Sequence, residues 1–559
     1  MTSPMGTLDR SDSEPRHDVH SLDAIVIGAG FAGIRALLEL AKLGLSAHAF
    51  EAGSDVGGTW YWNRYPGART DSEAWAYCYT FSRELQEEWT WSERLPGQSE
   101  VLRYLQHVVD RFDLRRRISF NTRVAAAHFD ETARLWRVTT DDGQAFVCRY
   151  LICATGILSI PKQPEFPGAD RFRGEIHYAP RWPKEPVDLT GKRIAIIGSA
   201  ATAVQILPVV ATVAAHVSFF QRTPNYVLPG RNYAIGQEQA QSLRRRYPEI
   251  GEQTRSHAFG LAMDRTGRTY DSVDDAERRR IFERGWEEGG FHFCFNTFDD
   301  LVVDPRSNEA AAEFVRDKIR SIVKDPKTAE ALCPKYPFFS KRPPSGHFFY
   351  EAFNRDNVEL VDISADPIEE ITETGIRTAS SERDFDVIIL AIGFDAGTGP
   401  LMNIDLRGRR GLSIRDAWQD GPRTHLGIAV EDFPNMFMIL GPQCPFGNLP
   451  TVIEGVVEWI GGVIDRVERD GIGEITPKPE AVAEWADYLN QMYRATLLSS
   501  GEQVGTWFLG ANIPGKPVVA LFHFGGVALY LEDIRKEFDR GLPGFSMQGR
   551  AMPAGARAG

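Results

Sequence analysis

"IVIGAGFAGIRALLELAKLGLSAHAFE", Ile25 to Glu51, decides the fold. A short apolar strand runs into a glycine loop, a helix follows, and a second strand ends on a carboxylate. Gly28 permits the tight turn and Gly30 lets the backbone approach a pyrophosphate. Gly33 allows close packing of helix on strand, and the helix N-terminus offers its free N–H groups to the phosphate. Glu51, at the end of the second strand, can accept both ribose hydroxyls. Strand, loop, helix, strand and acid in this order define a dinucleotide site, which a bare GxGxxG does not.

A second unit opens at Lys192, "KRIAIIGSAATAVQILPVV", with "HVSFFQRTP" from His216 as its second strand. Gly198, Ala200 and Ala203 hold the three glycine places. The carboxylate position is taken by Gln221, followed by Arg222 and Thr223. A carboxylate repels a 2′-phosphate, whereas a guanidinium and a hydroxyl bind it. The first site therefore suits FAD and the second NADP. The expected fold class is α/β, with two Rossmann-like dinucleotide-binding domains. The strands "RYLICATG" (to Gly156) and "DFDVIILAIGFD" (to Asp395) close on glycine turns, which suits either core strands or crossings between two nucleotide domains.

The 559 residues correspond to about three or four domain-sized units, and 43% hydrophobic content supports large cores. A net charge of −13 argues against nucleic acid or an anionic membrane surface as the main partner. Six scattered cysteines fit free thiols in the cytoplasm. Ile194 to Phe220 lacks Lys, Arg, Asp and Glu and is long enough to span a bilayer. Gly198, Gln205, Pro208 and His216 interrupt it, as a strand, a buried helix and a strand would require.

The stretch "VGGTWYWNRYPGARTD", Val56 to Asp71, then becomes legible. A disulfide reductase would carry a redox cysteine near the paired glycines, and none is there; Cys148 and Cys153 sit on a late strand. Instead Gly57-Gly58-x-Trp60, Tyr65-Pro66-Gly67 and Asp71 match the signature of type I Baeyer-Villiger monooxygenases, which the chain resembles from about Asp23 to Met547. "FQRTP", "KRP", "FNRDNVELVD", "FPNMFMILGP" and "GANIPGKP" match in the same order. A further marker, F-x-G-x-x-x-H-x-x-x-W-P, is met by Phe172, Gly174, Trp182 and Pro183. Tyr178 stands at its histidine position, with His177 one residue early.

The resemblance implies a flavin reduced by NADPH, oxygen added to give a flavin peroxide, and a ketone converted to an ester or lactone. It implies Arg342 of Lys341-Arg342-Pro343 as the positive charge beside the reacting oxygen, Asp71 as its partner, and Lys341 with Arg222 and Thr223 around the 2′-phosphate. Gly58, Thr59, Trp60, Tyr77 and the Val124 backbone would contact FAD, and Trp507 the nicotinamide side. Phe446, Leu449 and Leu509 would line the substrate pocket. From the residues alone, Asp71 equally suits a helix N-cap before "SEAWAY", and His177 a structural hydrogen bond. No metal is called for. Two alternatives stay open: a sulfur- or nitrogen-oxidising flavin monooxygenase, and a flavin-binding protein without turnover, the latter motivated by Ala200 and Tyr178.

The expected organisation is a disordered tail (1–19) and an FAD domain (20–160 and 386–547). An NADP domain (161–228 and 336–385), a helical insertion (229–335) and a C-terminal tail (548–559) complete it. The arginine runs of the insertion look like solvated helix faces.

Overall fold

A computed structural model describes residues 20–163 and 166–550; the expected N-terminal tail and residues 551–559 lie outside these. Two sheets organise the chain. The eight-stranded sheet runs Asp405–Arg407, Val124–Asp130, Leu135–Thr140, Ala145–Cys153, His20–Ile27, Ala47–Phe50, Ile118–Ser119, with Met436–Met438 also paired to Ala145–Cys153. Its centre is parallel, with Ile25 opposite both His48 and Leu151. Ala24 to Val26 are fully buried, as strands covered by helices on both faces must be. Gly33 shows why the helix Phe31–Lys42 lies so close: a Cβ there would stand 1.9 Å from the Gly28 carbonyl oxygen.

The five-stranded sheet is wholly parallel, in the order Val358–Asp362, His216–Gln221, Arg193–Ile197, Val387–Leu390, Glu175–Tyr178. The charge-free stretch from Ile194 thus folds as strand, helix (Ala201–Val210) and strand. No described helix is long and apolar enough to cross a membrane.

Two expected boundaries are corrected. Val387–Leu390 was expected in the FAD domain, which was placed from residue 386, yet it pairs on both sides within the second sheet. The chain leaves that sheet only past Ala391, whose N–H donates to the Ile197 carbonyl. An apolar strand carries no mark of which sheet it completes. At the other end, Phe545–Gly549 pairs with Ile472–Pro477, so regular structure continues past 547.

Between the sheets' segments the chain adds the helices Gln237–Ser256, Asp275–Glu288, His292–Phe295 and Pro305–Ile322. On the second of these, Arg279 and Arg280 are exposed and pair with Glu283 and Glu277 of the same helix, a solvated face. Its other face buries Phe282 and Trp286 against Phe293 and Phe314.

Candidate functional site

The first glycine loop builds the site's floor. Gly28 holds φ +103°, and a Cβ there would meet the Ala154 carbonyl oxygen at 2.6 Å. Gly30 faces Gly58 so closely that a Cβ on Gly30 would lie 3.2 Å from the Gly58 Cα. Two bare backbones thus flank the opening at the helix N-terminus, where a diphosphate needs both space and N–H donors. Glu51 is buried and bound: Oε2 accepts from the Ala29 N–H (2.8 Å) and Oε1 from the Gly53 N–H (2.7 Å). Burial pushes its pKa up, opposed by these two N–H groups and by Arg123. Glu51 therefore braces the glycine loop as well as lining the cavity, a role its spacing alone did not reveal.

One cavity joins this floor to a reactive end. Gly28, Gly30, Glu51, Gly58, Thr59, Trp60, Tyr77 and Val124 line it. So do Asp71, Arg342, Phe446, Leu449 and Trp507. Arg342 Nη1 donates to Asp71 Oδ2, and the Ser345 N–H donates to Asp71 Oδ1 at 3.3 Å. Both side chains are mostly buried, 21% and 12% exposed, so the pair is shielded without being sealed. Trp60 stands edge-on to Tyr77 at 5.6 Å, and burial pushes the Tyr77 phenol up to about 12.

Leu509 does not line this cavity; its side chain is buried beneath the loop, whose fold is held by the Val519 N–H donating to the Leu509 carbonyl. Phe259 and Phe291, from the segment expected to be a helical insertion, do line it. Phe259 packs on Phe291 (4.9 Å) and edge-on to Phe446 (5.3 Å), which meets Trp507 at 5.4 Å. Phe291 stands in a phenylalanine-rich run, "FHFCFNTF", whereas nothing in the sequence around Phe259 marks it. The Tyr65-Pro66-Gly67 turn, for its part, is docked on the second nucleotide unit. Tyr65 Oη donates to Gln205 Oε1 (3.0 Å), and a Cβ on Gly67 would lie 2.3 Å from the Gln205 carbonyl oxygen.

The second site lies at the ends of the second sheet's strands. Gly198, at φ +131°, passes the Ala391 carbonyl oxygen so closely that a Cβ would stand 2.3 Å away. Ala200 is the exposed N-cap of the helix Ala201–Val210, and Ser199 Oγ donates to the Thr223 carbonyl at 2.6 Å. Lys341 feels the exposed Arg222 and also Lys162, which sequence reasoning missed. Burial first, then these two cations, hold the Lys341 ammonium down to about 8. Lys162 is likewise lowered by burial and by Arg222. Three cations from distant segments share one field, an arrangement suited to a phosphate dianion. His177, on the neighbouring edge strand, donates from Nε2 to Glu175 Oε2 at 2.8 Å and packs on Trp182.

A glycine cradle braced by a buried carboxylate and a separate cationic crevice define an oxidoreductase with two dinucleotide sites. A family model described as pyridine nucleotide-disulphide oxidoreductase matches residues 25–234. The six cysteines are free, buried and absent from the cavity wall, so this match concerns the nucleotide fold. A Baeyer-Villiger monooxygenase from Pseudooceanicola batsensis is 42% identical over 511 residues, covering 91% of this chain and 93% of that one. A phenazine N-monooxygenase from Lysobacter antibioticus is 40% identical, covering 95% and 97%. The solved structure of OTEMO in complex with FAD and NADP superposes with a TM-score of 0.91 at 40% identity, over 95% of this chain and all of that one. The chain belongs to the Baeyer-Villiger monooxygenase family.

Proposed function

We infer that the protein is an FAD-dependent monooxygenase that uses NADPH and O2 to insert oxygen beside a ketone carbonyl, giving an ester or lactone. The observation that carries this is the Arg342–Asp71 pair, set among aromatic walls in the same cavity as the FAD-type glycine cradle. FAD, held by the glycine cradle, would supply the hydride acceptance and oxygen activation that the reaction needs. The chain's own part is electrostatic and steric. Arg342 supplies a fixed positive charge with several donors, of which one is held by Asp71, leaving others for an oxygen that gains negative charge. Asp71, itself held by the Ser345 N–H, fixes the direction of that fork.

Phe259, Phe291, Phe446 and Trp507 exclude water and favour an uncharged, apolar substrate. Arg222, Lys341, Lys162 and Thr223 would hold the 2′-phosphate of NADPH, which supports NADPH over NADH. The roles of Arg342, Asp71 and the pocket residues, the domain assignment and a cytoplasmic setting are parts of this proposal. A second reading, oxidation of a ring nitrogen, is favoured by the similarity to a phenazine N-monooxygenase. A panel of ketones and aza-arenes, incubated with FAD-loaded protein and NADPH under oxygen and analysed by mass, separates them. Ester from a ketone supports the first; N-oxide without any ester supports the second.

A further inference from the structure

We propose that Glu73 is a positioning residue for the Arg342–Asp71 pair, held by Arg94 and by His292 so that the helical insertion sets where Asp71 stands. This rests on the ketone-oxygenating role of the cavity. Glu73 lies two positions after Asp71 and its side chain is 4% exposed. Glu73 Oε1 accepts from Arg94 Nη2 at 2.9 Å and faces His292 Nε2 at 3.0 Å. Arg94 also donates to the Glu288 carbonyl (2.7 Å) and the Arg231 carbonyl (3.3 Å), which ties the guanidinium to backbone of the insertion. Burial acts to raise the Glu73 pKa, but the hydrogen bond and charge of His292, with Arg94, hold it down to about 2.

The connection to the reacting end is short. The Glu73 carbonyl accepts from the Ala76 and Tyr77 N–H groups, so the turn that Glu73 anchors carries Asp71 at one end and Tyr77 at the other. Gly290, between the helices Asp275–Glu288 and His292–Phe295, lies near this turn: a Cβ there would stand 4.0 Å from the Asp71 carbonyl oxygen and 3.9 Å from both Arg94 Nη2 and Ser345 Oγ. A movement of the insertion therefore reaches the turn through the Arg94 and His292 bonds to Glu73, the charged tie.

His292 is the second anchor of this tie. Its Nε2–H donates to Glu73 Oε1, and Nδ1 faces the Asn296 amide (2.8 Å) and the Glu288 carboxylate (3.2 Å), which fixes the ring against the insertion. A buried carboxylate that loses a hydrogen-bond partner is held less firmly.

The test uses the full-length, FAD-loaded protein and three variants, Glu73→Gln, His292→Asn and His292→Arg. Amide hydrogen exchange of the peptide spanning 71–77, compared at one fixed pH, and ester formed per NADPH consumed are measured for each. Exchange should quicken and ester per NADPH fall in Glu73→Gln and His292→Asn, by a change on the order of tenfold, while His292→Arg, which keeps a donor to Glu73, should stay near the wild type. Unaltered exchange and ester yield in both Glu73→Gln and His292→Asn would overturn the proposal, as would a His292→Arg variant as impaired as His292→Asn. Should Glu73→Gln not fold, the two His292 variants decide. A wild type that makes no ester overturns the ketone role instead, and the exchange comparison still judges the tie.

Discussion

Asp71 and Arg342 meet through a hydrogen bond across 271 positions of sequence. The next residue back, Lys341, lies in the field of Arg222 and Lys162. Two neighbours on one short segment thus face two different charge clusters, and in the proposed function they would serve two cofactors.

Asp71→Ala removes the acceptor that orients the guanidinium while leaving the charge. The expected result is retained FAD, near-normal flavin reduction by NADPH, and ester formation slowed about 10–100-fold. Stopped-flow absorbance for reduction and product analysis for the second step check it. A loss confined to flavin reduction would place Asp71 on the NADPH side instead.

Gly30→Ala and Gly33→Ala should fail differently. At Gly30 the added Cβ stands 3.2 Å from the Gly58 Cα, in the opening where the diphosphate must pass, so the variant should fold but release FAD readily. At Gly33 it would lie 1.9 Å from the Gly28 carbonyl oxygen, between helix and strand. That overpacking should cost about 1–3 kcal/mol of stability. Flavin fluorescence after gel filtration and a thermal melt distinguish the two; a flavin-tight Gly30→Ala would contradict the cradle.

Lys341 sets a pH limit on NADPH use. Its ammonium is lowered from 10.5 to about 8 by burial and by Arg222 and Lys162, so it is charged below about 8 and progressively neutral above. A bound phosphate favours the charged form, so affinity for NADPH should be level below about pH 8 and fall above it, by about tenfold once the charge is lost. Lys341→Arg should flatten this limb, and Arg222→Ala should move it to higher pH. Binding titrations with NADP at a series of pH values measure it. An affinity that rises above pH 8 would exclude the phosphate role of Lys341.

His257 should make the protein acid-sensitive. Its Nδ1 accepts from the Phe259 N–H at 3.1 Å, which requires an unprotonated nitrogen, and burial lowers its pKa from 6.5 to about 4. Because the folded-state value is depressed, the stabilisation is complete above pH 6.5 and is lost as pH falls through that window. The loss should be on the order of 2–3 kcal/mol. Thermal melts between pH 7 and 4 should show a shallower decline for His257→Gln; parallel curves for the two proteins would refute the assignment.

The two nucleotide-binding units were legible because each rests on local spacing, set by a strand–turn–helix geometry that the residues themselves enforce; Lys341-Arg342-Pro343 stood out only through the family resemblance. What the sequence hid depends on distant packing. Phe259 and Phe291 look like core residues until the fold brings them to the wall of the cavity that Arg342 also lines, and Lys162 comes into the field of Arg222 and Lys341 only through the tertiary fold. Val387–Leu390 could complete either sheet, since an apolar strand names no partner. The Tyr65-Pro66-Gly67 turn matched a flavin-site motif, yet its contacts are with Gln205 of the other nucleotide unit.

The most direct measurement compares the wild type with Arg342→Ala, both loaded with FAD, for ester formed from a panel of apolar ketones under NADPH and oxygen. The expected result is an ester or lactone one oxygen heavier than its ketone from the wild type, and none from Arg342→Ala, which should still bind FAD and accept electrons from NADPH. Ester formation by Arg342→Ala at the wild-type rate would contradict the role given to this residue, and NADPH oxidation by the wild type without any ester would contradict the reaction itself.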